Sequence, residues 1–484
     1  MTLALLLAAA LAADPAAPPQ ARADALPFAL AAAPLAAPSL AAAPPAAPGT
    51  WPTAEVPLAD ALAELDRQSP TLRQARARAD EAAALTRQVT AGLRPGLTAS
   101  GSYLRNSDEK VVTLPPSVSP DPLVLQPLES FSGTLALRVP LLVPSAWFEV
   151  AAARDAARSA AAQAQAARLG LRASLAATAH LGAASEEALA ATERAVENAA
   201  RLAEGAERRL KAGTAAPLDA LRARTEEVRR QGDLVRVRAD LERVQLAMGT
   251  LLGREGPVRI LVTPTSTEAV SKMAAHPERR AGSGGPESRE APTSTRDEAA
   301  LVAEALAHRP ELTAASAQVS AAGSQVDAAW ARLAPQVSAT GAAFAADVPY
   351  PTGKDWGWRL TVDLTWPLYD GGLRYGKRRE AEARLEQARA GETAQRLAVG
   401  QEARDAARDE EVAAERLRLA GEQRRLAAEA AGSAQRSYEA GVLSSLDVVD
   451  ANDRLYAADI GLAEAGARLA AARLALQRAL GRDP

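Results

Sequence analysis

Ser437-Tyr438-Glu439-Ala440-Gly441-Val442-Leu443-Ser444-Ser445-Leu446-Asp447-Val448-Val449-Asp450-Ala451-Asn452 joins two long Ala- and Arg-rich runs through a tight turn at Gly441. The second run opens with Asp447 and Asp450 on one helical face. A weaker copy lies upstream, from Arg208 to Leu221, with its turn at Gly213. Gly213, Leu218 and Asp219 match Gly441, Leu446 and Asp447 at one constant offset of 228 residues. The chain is therefore read as two copies of one unit, with these turns as the tips of its helical hairpins.

The rest of each copy falls into register around the turns. Pro70, Leu72 and Pro95 recur as Pro310, Leu312 and Pro335 at an offset of 240, and Gly253-Arg254 recurs as Gly481-Arg482 at 228. The offset shrinks because a Pro-rich loop in the first copy is longer. The long runs, about Ser145 to Lys211 and from the Asp370-Gly371-Gly372 turn to about Ala440, contain no proline. A helix of about 67 residues is about 100 Å long. Four such elements, two long and two shorter, have to lie side by side as a rod or tube.

Between the helices lie segments of period two. Leu97 to Tyr103, Phe131 to Val139 and Val337 to Ala343 alternate apolar with small or polar residues. The clearest is Trp358 to Trp366. Trp358, Leu360, Val362, Leu364 and Trp366 fall on one face, and Arg359, Thr361, Asp363 and Thr365 on the other. Apolar-out, polar-in alternation with aromatic ends suits a barrel wall between lipid and water. Four strands are too few to close, and open edges in lipid leave backbone groups unpaired at several kcal/mol each. Several chains are expected to share one barrel.

Composition agrees with long packed helices. Of 484 residues 48% are hydrophobic but only 3% aromatic, so the apolar share is mostly Ala and Leu. A net charge of −3 gives no electrostatic case for nucleic acid. Without cysteine there is no disulfide, no thiolate metal site and no lipidated N-terminal Cys. His180, His276 and His308 are scattered without metal spacing, and no phosphate loop or nucleophile elbow is present. Neither a cofactor nor catalysis is expected. Residues 1–13 read as a signal peptide with Ala10-Leu11-Ala12 as a cleavage site, and 14–55 as a Pro/Ala-rich, disordered lead-in. The first repeat is placed at 56–254, a linker at 255–295 and the second repeat at 296–484.

Together with the duplication, the strand ends Val139-Pro140-Leu141 and Trp366-Pro367-Leu368 and the motif Tyr438-x-x-Gly441-x-x-x-x-Leu446-Asp447-Val448-x-Asp450-Ala451 resemble the TolC-type outer-membrane efflux protein family, from about Leu58 to Arg482. The resemblance implies a homotrimer with a shared twelve-stranded barrel in the outer membrane and a periplasmic α-helical tunnel. It implies an exit duct for tripartite efflux or type I secretion, working with a periplasmic adaptor and an inner-membrane pump. It places Asp447 and Asp450 as pore constriction, and Asp219 and Tyr438 in the links that hold the tip closed. Where a family member carries a basic residue in this turn the chain has Leu443, and the adjacent link partner is here Leu218, so the salt-bridged part of the lock is expected to be absent or replaced by apolar packing. Two of these carboxylates have a second reading. Asp447 lies in the first turn of its helix, where a carboxylate satisfies orphan N–H groups, and Asp219 follows Pro217 at a similar position. The alternative for the whole chain is a periplasmic coiled-coil adaptor or scaffold with its strands in a soluble domain.

Overall fold

The computed structural model describes residues 54–112, 123–214, 216–262, 294–347 and 354–483. The expected signal peptide and nearly all of the lead-in and linker lie outside these residues. In the first repeat, β1 (Ala54–Pro57) leads into α1 (Leu58–Gln68) and α2 (Pro70–Ala91). After α2 come β2 (Gly96–Arg105), the short β3 (Lys110–Val112) and β4 (Leu123–Gln126), and the long β5 (Glu129–Leu142). The hairpin is α3 (Pro144–Lys211) and α4 (Pro217–Leu252), followed by β6 (Val258–Leu261). The second repeat runs α5 (Ser294–His308), α6 (Pro310–Ala331), β7 (Gln336–Ala346), β8 (Trp356–Thr365), α7 (Leu373–Glu439) and α8 (Ser445–Ala479). All four expected strands and both hairpins are present.

Proline explains where the helices begin. Pro70, Pro144, Pro217 and Pro310 each occupy a helix start, where the missing N–H is no loss. The two long helices then run 68 and 67 residues. Their buried positions are mostly alanine, so the axes approach closely and the apolar contact is thin but continuous. Helix α3 packs on α2, α4, α6 and α8, while α7 packs on α5, α6 and α8.

Four strands form one antiparallel sheet in the order β2-β5-β7-β8, so the two repeats meet at the β5–β7 ladder. Its outer edges, β2 and β8, have no neighbour among the described residues.

Two differences from the sequence reading concern the linker and the Pro-rich loop. Val258–Leu261, read as an apolar piece of linker, is a strand in parallel register with Ala54–Pro57, which was read as lead-in up to residue 55. Period-two analysis misses both because each is four residues long. Arg259 anchors this pair, reaching Glu55 at 2.7 Å and forking onto Glu186 of α3 at 2.7 and 2.8 Å. Strands β3 and β4 pair inside the Pro-rich loop, where the sequence reading places no strand.

The repeat extends to single contacts. Arg254 forks onto Glu64 at 2.5 and 2.6 Å, and Arg482 bonds Glu304 at 2.7 Å. These are equivalent residues of the two copies. Beside them, Gly253 (φ 77°) and Gly481 (φ 74°) end α4 and α8 in the left-handed conformation. A Cβ on Gly253 would lie 2.9 Å from Pro70 Cδ, and one on Gly481 2.9 Å from the His308 carbonyl. Each hairpin is thus seated on the break between the two short helices before its sheet. The cores there are Leu65, Leu72, Leu175, Met248 and Leu252 in one copy and Ala305, Val399, Ala403 and Leu480 in the other.

Gly253→Ala and Gly481→Ala should each cost about 1–3 kcal/mol, since backbone strain and a close approach add. Gly213→Ala, left-handed but with open space around it, should cost about 1 kcal/mol. Thermal unfolding followed by circular dichroism checks this order, and equal losses at all three positions would refute it.

Candidate functional site

Two regions carry the chemistry: the hairpin tips and the strand wall. At the tips, Gly213 (φ 71°) and Gly441 (φ 79°) sit in the turns. The Ser444 backbone N–H donates to Asp447 Oδ2 at 3.0 Å and its hydroxyl lies 2.7 Å from the same oxygen, closing a capping box at the start of α8. The Ser444 hydroxyl and N–H hold the Asp447 carboxyl below the usual carboxylate range. Of its two readings, the cap is the one with contacts in this structure. Asp450, one turn deeper, is exposed and pairs only with Arg454, at 2.8 Å.

The structure does not bring Asp219 and Tyr438 together. Asp219 accepts the Ser445 hydroxyl at 3.2 Å, a contact between the two hairpins. Tyr438 is buried, with the Arg209 guanidinium 4.2 Å from its ring centroid. Arg209 also donates to the Tyr438 carbonyl at 3.1 Å. Around them Leu202, Ala206, Ala223 and Val448 form a small core. Leu218, Val442, Leu443 and Leu446 are exposed, so the tip surface is apolar where a charged link was the family expectation.

Sequence reasoning missed the ionic cluster behind the tip. Arg229 and Arg230 of α4 both bond Asp453 of α8. Arg230 is 5% exposed, lies over the Tyr456 ring at 4.2 Å, and also reaches Glu226 at 2.7 Å and Asp233 at 3.2 Å. Further up, Asp459 takes Arg424 of α7 at 2.9 Å and Arg194 of α3 at 3.6 Å. A signal was available: Asp450, Asp453, Tyr456 and Asp459 recur every three residues along one side of α8. Burial alone would raise the Asp453 carboxyl, but the Arg229 and Arg230 guanidinium groups hold it below its ordinary value.

The strand wall has two chemically distinct faces. Cross-strand register puts Leu97, Leu137, Val337 and Leu364 on one face, followed upward by Leu135, Val362, Leu360 and Trp358. The opposite face carries Thr98, Ser100, Ser102, Thr134, Ser338 and Thr340. Trp358, Leu360, Val362 and Leu364 are all well exposed on the apolar face, as expected. Trp366 lies just past the end of β8, and its indole N–H donates to the Leu333 carbonyl at 3.2 Å. The upper end is marked instead by Trp356.

Among the described residues ten aromatic side chains are exposed, in two bands. Tyr103, Phe131, Trp356 and Trp358 lie at the far end of the sheet, and Trp147, Phe148, Trp330, Trp366, Tyr369 and Tyr375 at the hand-over to the helices. Paired aromatic bands around an apolar belt mark the two interfaces of a membrane. Among the described residues no helix is long and apolar enough to cross one.

A strand wall fit for lipid, continued by helical hairpins about 100 Å long, is the architecture of a channel wall rather than of a soluble scaffold. The family model for "Outer membrane efflux protein" matches residues 61–254 and 301–482, and the chain belongs to that family. A comparison with curated protein sequences returns no match. Among solved structures, the outer-membrane channel OprN is 23% identical with a TM-score of 0.68, covering 88% of this chain and 89% of its own. VceC, an outer membrane protein of Vibrio cholerae, is 22% identical with a TM-score of 0.70, covering 88% and 96%. The MtrE outer membrane channel of Neisseria gonorrhoeae, in its open state, is 19% identical with a TM-score of 0.68, covering 88% and 89%. The chain is an outer-membrane efflux duct, and the adaptor alternative falls.

Asp453→Asn leaves the Arg230 charge buried with less compensation, and should cost about 2 kcal/mol at neutral pH. A carboxylate with a lowered folded pKa stabilises fully above its unfolded value, near 3.8, and loses that contribution as pH falls through the folded value. The gap between wild type and variant should therefore persist down to about pH 4 and close only as pH falls further, through the folded value. Denaturant midpoints across pH check this, and a gap that persists or widens in that stronger acid would refute it.

Proposed function

We propose that the chain assembles as a homotrimer whose three sheets close one twelve-stranded barrel in the outer membrane of a Gram-negative-type cell. Its hairpins form one periplasmic tunnel. Substrates handed over by an inner-membrane pump and a periplasmic adaptor pass through it passively, with no cofactor and no catalysis. Asp450 lines the inner rim as pore constriction, with Asp447 beside it as cap and rim. Asp219 and Tyr438 belong to the links at the tip, through Ser445 and Arg209 respectively.

One observation carries the assembly: the edges and helix faces left uncovered inside the chain match one another. The sheet is open at β2 and at β8. Helix α4 exposes Leu221, Val228 and Val235 at seven-residue spacing, flanked by Arg222, Arg229, Arg236 and Arg243. Helix α7 exposes Val412, Leu419 and Leu426 at the same spacing, flanked by Glu415, Glu422 and Glu429, which pair with Arg418 and Arg425 of the same helix and would have to exchange partners at the contact. The two helices run in opposite directions from the tips, and Val228 and Leu426 lie at comparable distances from them. A seven-residue apolar seam with opposite flanking charges is what a coiled-coil contact uses. A head-to-tail contact closes into a ring where its rotation is a whole fraction of a turn, and a third of a turn gives the trimer proposed here.

Purified in detergent, the protein should run as a trimer and form conducting pores in planar bilayers. Val228→Asp with Val235→Asp should shift it toward monomer by at least about tenfold, since each buried carboxylate costs several kcal/mol. Recovery of the wild type as a soluble periplasmic monomer would sink the duct reading.

A further inference from the structure

The polar face of the sheet carries charges that the transport reading does not use. Arg138 of β5 stands in register with Gly96 and Thr340, and Arg359 of β8 with Ala342. Both belong to the face opposite the Leu/Trp ladder. Arg94, in the turn before β2, joins Arg138 in lining a cavity of about 390 Å³ at the foot of this face, with Gly96, Gln336, Ser338 and Thr365. The Arg359 guanidinium lies 5.8 Å from the Phe344 ring centroid. No carboxylate lies within ion-pair distance of Arg94, Arg138 or Arg359 among the described residues. The acid on the same face is Asp363, whose described polar contact is with Thr361 at 3.4 Å. Cations therefore outnumber anions on this stretch of wall. The exposed aspartate at the other end of the molecule, Asp450, has the opposite sign.

We propose that Arg94, Arg138 and Arg359 form an anion-preferring belt inside the barrel, which sets the channel's preference for solutes bearing carboxylate, sulfate or phosphate groups at its outer end. This rests on the trimeric barrel proposed above, which would bring three copies of the belt around one lumen. Rings of Arg or Lys are the usual way a pore favours anions. The preference depends on salt. The screening length is about 8 Å at 0.15 M and about 30 Å at 0.01 M, so the belt reaches the middle of a wide lumen only in dilute salt.

The test measures the chloride-to-potassium permeability ratio of the full-length protein in planar bilayers under a KCl gradient at low salt. Replacing Arg94, Arg138 and Arg359 together with Gln should lower the ratio at least about twofold near 0.01 M, and much less near 1 M. Asp363→Asn, which removes the facing acid, should raise it and serves if the triple variant does not fold. A conducting wild type whose ratio responds to neither variant overturns this proposal alone. A response of equal size at both salt concentrations also overturns it, since the belt would then not act through its field. A wild type that forms no pores overturns the barrel reading and this one with it.

Discussion

Every backbone N–H and C=O in the strand wall needs a partner, and a four-stranded sheet cannot supply them at its own edges. In water an open edge is an invitation to pair. In hydrocarbon it costs several kcal/mol for each unpaired group. Strands β2 and β8 are such edges, and their outward faces carry exposed apolar side chains such as Leu97, Trp358 and Leu364. On the trimeric reading proposed above each chain supplies one segment of the wall, with one free edge from each repeat. Unlike edges suit head-to-tail addition of copies. The helices repeat the pattern, since α4 and α7 both expose apolar residues at seven-residue spacing.

Length imposes the second constraint. Helices of 68 and 67 residues have no compact core to surround. Burial is instead spread over several small clusters along the rod, each built from alanines with an occasional leucine or valine. Small side chains let long helices stay close without requiring wide apolar faces that would make the monomer insoluble. Thin packing also means that specific polar ties decide register. The two copies keep one such tie unchanged, Glu64–Arg254 and Glu304–Arg482, at the seat of each hairpin. At the tips they have diverged: Asp219 receives a serine from the other hairpin, whereas Asp447 is turned back on its own Ser444. The seats share one tie, and the tips hold their aspartates in different ways.

What could be read from the sequence follows from this division. The Trp358-to-Leu364 ladder was legible because one period and one solvent choice act on consecutive residues. The hairpins were legible because proline and glycine mark their ends and because the second copy repeats the first. The β1–β6 pair was not, since four residues carry no usable period and their partners lie about two hundred positions away. The Arg230–Asp453 tie escaped for the same reason. An arginine among many on α4 looks like a solvated helix face until α8 is laid against it. Trp366 shows the limit of periodicity even where it works: it keeps the alternation, yet Pro367 ends the ladder and the indole turns to the Leu333 carbonyl.

The tip motif illustrates how two aspartates three residues apart can be divided between structure and solute. Asp447 sits where the first turn of α8 has unpaired N–H groups, and the cap contacts hold its charge close to the backbone. Asp450 lies beyond that turn, so no cap competes for it. Its exposed pair with Arg454 is worth at most about 1 kcal/mol and is easily exchanged for another cation. Three such carboxylates around one axis would repel one another, which favours a wide rim unless other contacts resist. Here the available resistance is the Asp219–Ser445 bond, the Arg209–Tyr438 stack and the buried Arg230–Asp453 cluster, all joining one hairpin to the other. Leu443 and Leu218 add no charge to that restraint. A rim held this way is stiffened behind the turns rather than at them, and the turns themselves stay free to meet whatever docks on the tip.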